Sequence, residues 1–385
     1  MRAPCASRID YSSPYASDRR DGRCAASKTA FEVEGLPVTI SPHRPREKAT
    51  PDAWRLTRPE SCSAAPEECR SVGSVTISLG YQIPNFTYPG GAASLFDTVA
   101  AQALDAEAAG FDTVLVMDHF YQLPGIGTPD QPMMEAYTTL AALAASTSTV
   151  QLSALVTGNT YRNPTLLAKT VTTLDVISHG RAILGIGAGW FEFEHEQLGF
   201  DFDTFTERFE KLDEALQIIH PMLRDERPEF TGKWYRAHGA MNVPRFRDSI
   251  PIMLGGQGER KTFRLAARYA DHMNIICAIE DLPRKVQVLK QRAEEIDRDP
   301  STLKTSYLAS VALVESAADA DAILGSIPED RRSRAFVGTA DVLAERIQAE
   351  ILDAGVDGVI VNAPLNGHVP GVVTAIGETL APLVN

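Results

Sequence analysis

Short apolar runs alternate with amphipathic segments along the chain from Val75 onward. The apolar runs read as buried strands, and they cover residues 76–81, 113–117, 150–156, 182–186, 252–254, 273–277, 306–314 and 358–362. Because strands that alternate with helices are joined by right-handed crossovers, eight such pairs predict a parallel sheet. The favoured fold is an α/β structure, a closed (β/α)8 TIM barrel, and an open doubly wound sheet is the alternative.

The amphipathic segments carry helix start signals. Ser94 and Asn163 stand at N-cap positions, and Pro164 follows Asn163 in the first turn, where a missing N–H costs nothing. Residues 204–207 (Thr-Phe-Thr-Glu) predict a capping box at the start of the fourth helix. Residues 225–248 then interrupt the alternation with proline, glycine and aromatic residues. We therefore predict an insertion near the barrel rim after the fourth helix.

The first 73 residues differ from the rest of the chain in composition and in hydrophobic pattern. They are rich in Arg, Ser, Pro, Asp and Glu, and no apolar period is sustained among them. Such a segment cannot bury enough apolar surface to offset the entropy lost on ordering. We predict a disordered extension over residues 1–73, which a misassigned start codon would explain, and one barrel over residues 74–385.

Composition narrows the class of ligand. A net charge of −13 disfavours nucleic acid and anionic membranes as partners, which leaves a small molecule as the expected ligand. Five cysteines without a Cys-x-x-Cys pair predict neither a disulfide framework nor a metal site. Glu192, His195 and Glu196 also lack the spacing of metal ligands. The first residues lack the apolar segment of a secretory signal, so the cytoplasm is the expected compartment.

The residues directly after the strands carry the candidate chemistry, because barrel active sites lie at the carboxyl ends of the strands. Asp118 and His119 follow the second strand, and a histidine beside a carboxylate is suited to proton transfer near neutral pH. A histidine that only fixes the loop backbone is the alternative. Trp190, Phe191 and Phe193 follow the fourth strand and suit either a planar cofactor or packing at the rim.

Two glycine-rich stretches follow strands as well. Gly185, Gly187 and Gly189 alternate at the fourth strand, where bare backbone would let a flat or phosphorylated ligand approach. A tight turn between strand and helix explains the same pattern. Residues 255–258 (Gly-Gly-Gln-Gly) precede a predicted helix over 259–270, so free N–H groups there would bind an anion unless the stretch is a plain turn. The motifs of serine hydrolases, P-loop proteins and dinucleotide-binding folds are missing from the sequence.

Four stretches, in this order, resemble the bacterial luciferase-like monooxygenase superfamily. They are residues 117–119, 156–164, 181–191 and 254–261. More narrowly, they resemble the F420-dependent oxidoreductase branch of that superfamily, in its actinobacterial subgroup with Gly-Ala-Gly-Trp-Phe and Gly-Gly-x-Gly-Glu. The similarity extends from about Val75 to the end of the sequence.

This resemblance implies that the deazaflavin F420 lies in the rim cleft and exchanges a hydride at its C5 carbon with a small organic substrate. His119 becomes the candidate catalytic residue, which would stabilise or protonate the ring. A non-prolyl cis peptide is implied between Ala154 and Leu155. The implied cofactor-binding residues are Asp118, His119, Ala154, Leu155, Val156, Thr157, Asn159, Gly187, Ala188, Gly189, Trp190, Gly255, Gly256 and Gln257.

The resemblance leaves other functions open. An FMN-dependent monooxygenase that uses dioxygen is the first alternative, and a non-catalytic flavin- or deazaflavin-binding protein is the second. Trp190 stands where the sugar-phosphate dehydrogenases of the F420 branch carry a glutamate acid, so glucose 6-phosphate is not the expected substrate. The resemblance also implies a homodimer.

Overall fold

The computed structural model describes residues 77–327, 329–332 and 334–384, and the predicted extension over residues 1–73 lies outside them. Eight parallel strands of the described part close into a barrel. In ring order they are β1 (Leu79–Ile83), β2 (Thr113–Val116), β3 (Gln151–Ala154), β5 (Ala182–Gly187), β8 (Ile252–Gly256), β9 (His272–Ile275), β10 (Lys304–Leu313) and β12 (Gly358–Asn362). The pairing of β12 with β1 closes the ring, which confirms the predicted barrel.

Two short strands join the barrel sheet without being members of the ring. The first, β4 (Thr157–Gly158), follows β3 and pairs with the end of β5. The second, β11 (Ala335–Gly338), pairs with the second half of β10. Neither short strand was predicted as a separate element.

Helices cover the outside of the barrel between the strands. They are α1 (Leu95–Ala108), α2 (Ala136–Ser146), α3 (Pro164–Ile177), α4 (Glu192–Leu198), α5 (Phe205–Met222), α6 (Thr262–Tyr269), α7 (Leu282–Glu294), α8 (Ala317–Ser326), α9 (Glu329–Arg332), α10 (Ala340–Arg346) and α11 (Val372–Val384). A π-helical turn (Ile347–Ile351) and a 3-10 turn (Leu352–Ala354) extend α10. The fourth predicted helix is therefore α5, because the short α4 before it was not predicted.

All three predicted helix starts coincide with the observed N-cap positions. The Asn163 side chain caps α3, and Thr204 with Glu207 forms the complete capping box of α5. Ser94 is the N-cap residue of α1, but its side chain makes no cap hydrogen bond. Its hydroxyl instead donates to the Pro89 carbonyl at 3.2 Å.

The lumen of the barrel is packed with side chains. Its apolar cluster consists of Ile77, Leu115, Leu155, Ile183, Met253 and Ile360. A polar group lies beside it, in which Ser306 bonds His272 at 2.8 Å and Asn274 at 2.9 Å. Because the lumen is filled, the barrel leaves the space above the carboxyl ends of its strands as the expected place for a ligand.

The predicted insertion after α5 contains a β-hairpin. Its strands are β6 (Glu229–Thr231) and β7 (Arg236–His238), and they pair antiparallel. The Glu214 carboxylate on α5 accepts the backbone N–H groups of Lys233, Trp234 and Tyr235 at 2.8 to 2.9 Å. This carboxylate fixes the connection between β6 and β7 to the barrel.

Candidate active site at the carboxyl ends of the strands

The predicted site residues lie at the ends of neighbouring strands. They lie in the last residues of β3, β4, β5 and β8 or in the loops after β2, β3, β4, β5 and β8, and β2, β3, β5 and β8 are consecutive in the ring. The group at the end of β5 consists of Gly187, Ala188, Gly189 and Trp190. The fold therefore brings together stretches that are up to 139 residues apart in sequence, from Asp118 to Gln257.

The backbone between β3 and β4 forms a bulge beneath the rim. Its cis peptide bond joins Leu155 to Val156, so the implied position between Ala154 and Leu155 was wrong by one residue. The Gln82 side-chain amide donates to the Leu155 carbonyl at 3.2 Å. The Asn362 amide donates in turn to the Gln82 side-chain oxygen at 2.8 Å. Two buried amides from β1 and β12 thus support the bulge, and the site prediction included neither.

The glycines of β5 and β8 make room for this bulge. A Cβ atom built on Gly185 would lie 1.9 Å from the Ala154 carbonyl oxygen. Cβ atoms built on Gly187 and Gly255 would lie 2.9 and 2.7 Å from the Val156 side chain. Real Cβ contacts are longer, so these positions require glycine for packing between strands. Contact of Gly187 and Gly255 with a cofactor stays a prediction.

Asp118 is buried and fully engaged by the protein. Its carboxylate accepts two hydrogen bonds from Arg162, at 2.7 and 3.0 Å, and a third from the Gly158 backbone N–H at 3.1 Å. Arg162 also pairs with Glu135 at 2.7 Å. The bidentate pair of Arg162 and Asp118 connects the loop after β2 to the turn after β4. Arg162 lies in a stretch that the sequence singled out, although it was not among the predicted site residues.

His119 is held by a buried carboxylate that the sequence did not single out. Its Nδ1 atom lies 2.9 Å from Glu194 of α4, whose side chain is 0% exposed. Glu194 also accepts the backbone N–H groups of Phe120 and Tyr121, at 2.6 and 2.8 Å, and the Tyr161 hydroxyl at 2.5 Å. Burial opposes ionisation of Glu194, but hydrogen bonding and charge from His119, with further bonds from Tyr161 and Tyr121, hold its pKa below the usual range.

His195 has a structural role next to this pair. Its ring is buried, Nδ1 lies 2.8 Å from the Phe191 carbonyl, and Nε2 lies 2.7 Å from the Thr160 hydroxyl. Since a carbonyl only accepts, Nδ1 carries the proton and Nε2 accepts from Thr160. Both ring nitrogens are therefore occupied. Among the described residues, no cluster of His, Cys, Asp and Glu side chains is arranged to hold a metal ion.

Aromatic side chains surround the open side of His119. Trp190 and Phe191 meet its ring edge-on, with centroids at 5.7 and 5.8 Å. Phe193 continues the row from Phe191, and Tyr121 packs against Phe193 at 5.8 Å. Trp190 is 61% exposed, so this aromatic wall borders solvent. A planar or apolar ligand would cover that surface.

Thr157 in β4 and Asn159 directly after it are more deeply buried than Trp190 of the aromatic wall. Thr157 is buried, and its hydroxyl bonds the Tyr137 hydroxyl at 2.6 Å. Asn159 is 1% exposed, and neither atom of its side-chain amide has a hydrogen-bond partner of normal geometry. Burial raises the pKa of Tyr235, and interaction with Asn159 opposes that rise, so the Tyr235 hydroxyl lies near this amide.

The loop after β8 offers backbone N–H groups and a nearby cation. Gly256 has φ of +138°, a conformation that strongly favours glycine. None of the N–H groups of residues 257–261 donates to a backbone carbonyl of the described chain. Lys285 lies 3.0 Å from the Gln257 carbonyl and 2.8 Å from the Glu259 carboxylate. The free N–H groups suit an anion, but Lys285 is already paired with Glu259, and anion binding by this loop stays a prediction.

Comparison with known proteins now identifies the family. The model of the luciferase-like monooxygenase family matches residues 77–351, which is more than half of the chain. The chain therefore belongs to the luciferase-like monooxygenase family. This membership confirms the resemblance drawn from the four sequence stretches.

Two curated relatives are similar to this chain over different lengths. An F420-dependent glucose-6-phosphate dehydrogenase of Kineococcus radiotolerans is 36% identical over 41% of this chain. The match spans 47% of that relative, about half of its length. A 5,10-methylenetetrahydromethanopterin reductase of Methanolobus tindarius is 26% identical over 73% of this chain and 95% of the relative.

A solved structure shows the same fold. It is an F420-dependent secondary alcohol dehydrogenase in complex with an F420-acetone adduct, and it superposes with a TM-score of 0.68. The superposition covers 81% of this chain and 100% of the other, at 20% sequence identity. At that identity the likeness extends to the barrel fold and no further.

Proposed function

We propose that this protein is an F420-dependent oxidoreductase that transfers a hydride between the deazaflavin and a small organic substrate. The observation that carries the proposal is the pair of His119 and Glu194, held at the carboxyl end of β2, which neighbours β3 in the ring. Support comes from the family relatives, whose names include F420-dependent dehydrogenases.

The residues of the rim fit such a cofactor. The buried Asn159 amide lies near the Tyr235 hydroxyl, and its oxygen has no hydrogen-bond partner among the described residues, so it offers an acceptor to the edge of a heterocyclic ring. The free N–H groups of residues 257–261 suit the phosphate of the cofactor tail, with the Lys285 ammonium beneath them. These two groups lie after β4 and β8, on either side of β5 in the ring.

When bound, F420 supplies hydride transfer at its C5 carbon. The protein contributes orientation, exclusion of water and a proton-transfer group. His119 keeps its Nε2 atom for the cleft, because Nδ1 is bonded to Glu194. Trp190 and Phe191 pack beside the His119 ring and would exclude water from the proton-transfer step.

The rim also supports an apolar substrate. Trp190 stands where the sugar-phosphate dehydrogenases of the F420 branch carry an acid, and Phe193 and Tyr121 extend the wall. The Asp118 and Glu194 carboxylates are bonded to protein groups, so neither is free to bind a sugar hydroxyl. We therefore propose a substrate without charge or many hydroxyl groups, unlike glucose 6-phosphate.

Titration of the full chain with oxidised F420, and separately with FMN, tests this function. Fluorescence quenching of each ring reports binding, and we expect a micromolar or tighter Kd for F420 alone, a free energy of about −8 kcal/mol. Preference for FMN would instead support a monooxygenase that uses dioxygen. If neither F420 nor FMN binds, the proposed function is overturned, while the barrel fold is unaffected. Binding of F420 with a turnover rate that His119→Ala does not change would indicate a non-catalytic binding protein.

Two expectations from the sequence stay predictions. The homodimer rests on the resemblance, and the cytoplasmic location rests on the missing secretory signal. In the described ranges, no helix is both long and apolar enough to cross a bilayer.

A further inference from the structure

We propose that Glu194 is a positioning residue that fixes the tautomer of His119, so that the proton lies on Nδ1 and Nε2 faces the cleft as the acceptor. The proposal rests on the proposed function, because the cleft beside His119 is where the cofactor and substrate would react. Its basis is the set of hydrogen bonds that converge on one buried carboxylate.

Every donor around Glu194 points at its two oxygens. Oε1 accepts the backbone N–H groups of Phe120 and Tyr121, and Oε2 accepts from His119 Nδ1 and the Tyr161 hydroxyl. The side chain is 0% exposed, so water does not compete for these bonds. An ionised carboxylate only accepts, and His119 must therefore donate from Nδ1.

The tautomer decides which proton His119 can move. With Nδ1 protonated, the neutral ring presents a lone pair on Nε2 and takes up a proton there. The imidazolium that forms then lies 2.9 Å from the Glu194 carboxylate, which stabilises its charge. Among the described residues no hydrogen bond engages Nε2, so this atom is available to a ligand.

The variant Glu194→Gln separates this role from simple packing. Glutamine has the same shape but only one acceptor oxygen. The two N–H groups of Phe120 and Tyr121 require that oxygen, because turning the amide would leave buried donors facing each other. The amide nitrogen then faces His119 and donates to Nδ1. The neutral ring must therefore carry its proton on Nε2, which is the opposite tautomer.

Nitrogen NMR of the full chain labelled with 15N-histidine measures the tautomer directly. Spectra are taken at about pH 9, where free histidine is neutral, and His119→Gln identifies the signals of His119. We expect protonated Nδ1 in the natural protein and protonated Nε2 in Glu194→Gln. The exposed Glu196 lies on the same helix, so Glu196→Gln is the matched control and should keep the natural tautomer. Tyr161→Phe should keep it too, because the carboxylate remains.

Two results would overturn the proposal. One is a natural protein whose His119 carries its proton on Nε2, and this result does not depend on how Glu194→Gln folds. The other is a folded Glu194→Gln protein that keeps the proton on Nδ1. The spectra need no cofactor, so failure to bind F420 would overturn the proposed function without changing the tautomer result.

Discussion

Replacement of Gly255 by alanine tests whether the glycines of β8 and β5 serve the bulge. The new Cβ would lie 2.7 and 3.3 Å from the two Val156 methyl groups, closer than side chains pack in real structures. Overpacking of this kind costs about 1 to 3 kcal/mol, so we expect the free energy of unfolding to fall by that amount. Gly325→Ala is the matched control, because a Cβ there meets open space on α8, and it should raise stability by about 0.5 kcal/mol.

A double-mutant cycle with Val156→Ala assigns that loss to the bulge. Val156→Ala removes the two methyl groups that a Cβ on Gly255 would meet. Gly255→Ala should therefore cost less in that background, with a coupling energy of about 1 kcal/mol or more. Urea unfolding of the natural protein, the two single variants and the double variant gives the four free energies of unfolding, provided that the dependence of free energy on urea concentration has the same slope in all four. Additive effects would refute the reasoning, since they would show that the Cβ disturbs some other contact.

Two further predictions concern a helix cap and a buried histidine. Thr204→Ala should lower the free energy of unfolding by about 1 kcal/mol, because Thr204 and Glu207 form a capping box. Ser94→Ala, which removes no cap bond, should change it by less than about 0.5 kcal/mol in the same urea assay. Burial lowers the pKa of His272 to about 4 in the folded protein. As pH falls below about 6.5, His272 therefore takes up a proton in the unfolded chain before it does so in the folded protein, and this destabilises the fold. Stability should drop by about 2 to 3 kcal/mol between pH 7.5 and 4.5, and by clearly less in His272→Gln, as unfolding at both pH values would show.

The barrel could be predicted because its strands are buried on both faces. Such strands are continuous apolar runs, and the prediction of residues 358–362 coincides with β12. The strand β11 was not predicted, and it lies outside the ring. The short helix α4 was missed because seven residues rich in glutamate show no apolar period.

Because α4 was not predicted, the sequence did not indicate the role of Glu194, whose carboxylate accepts four hydrogen bonds at the site. Glu194 is one of three glutamates in residues 192–196, and nothing in the local sequence distinguishes it from the other two. Its burial depends on contacts with the loops after β2 and β4, which are 33 to 75 residues away in sequence. Local pattern does not record such contacts. Single residues directly after the strands were found, because the barrel itself fixes where they lie.

The partners of the carboxylates determine what chemistry the rim can perform. Asp118 is paired with Arg162, Glu194 accepts four hydrogen bonds, and Glu259 is paired with Lys285 and Arg284. Each of these acids therefore holds a loop in place and does not serve as a free acid or base. Under the proposed function, proton transfer is then assigned to His119, whose Nδ1 is bonded to Glu194 and whose ring packs against Trp190. A site of this kind favours a reaction in which one proton accompanies one hydride, and it disfavours reactions that need a second acid.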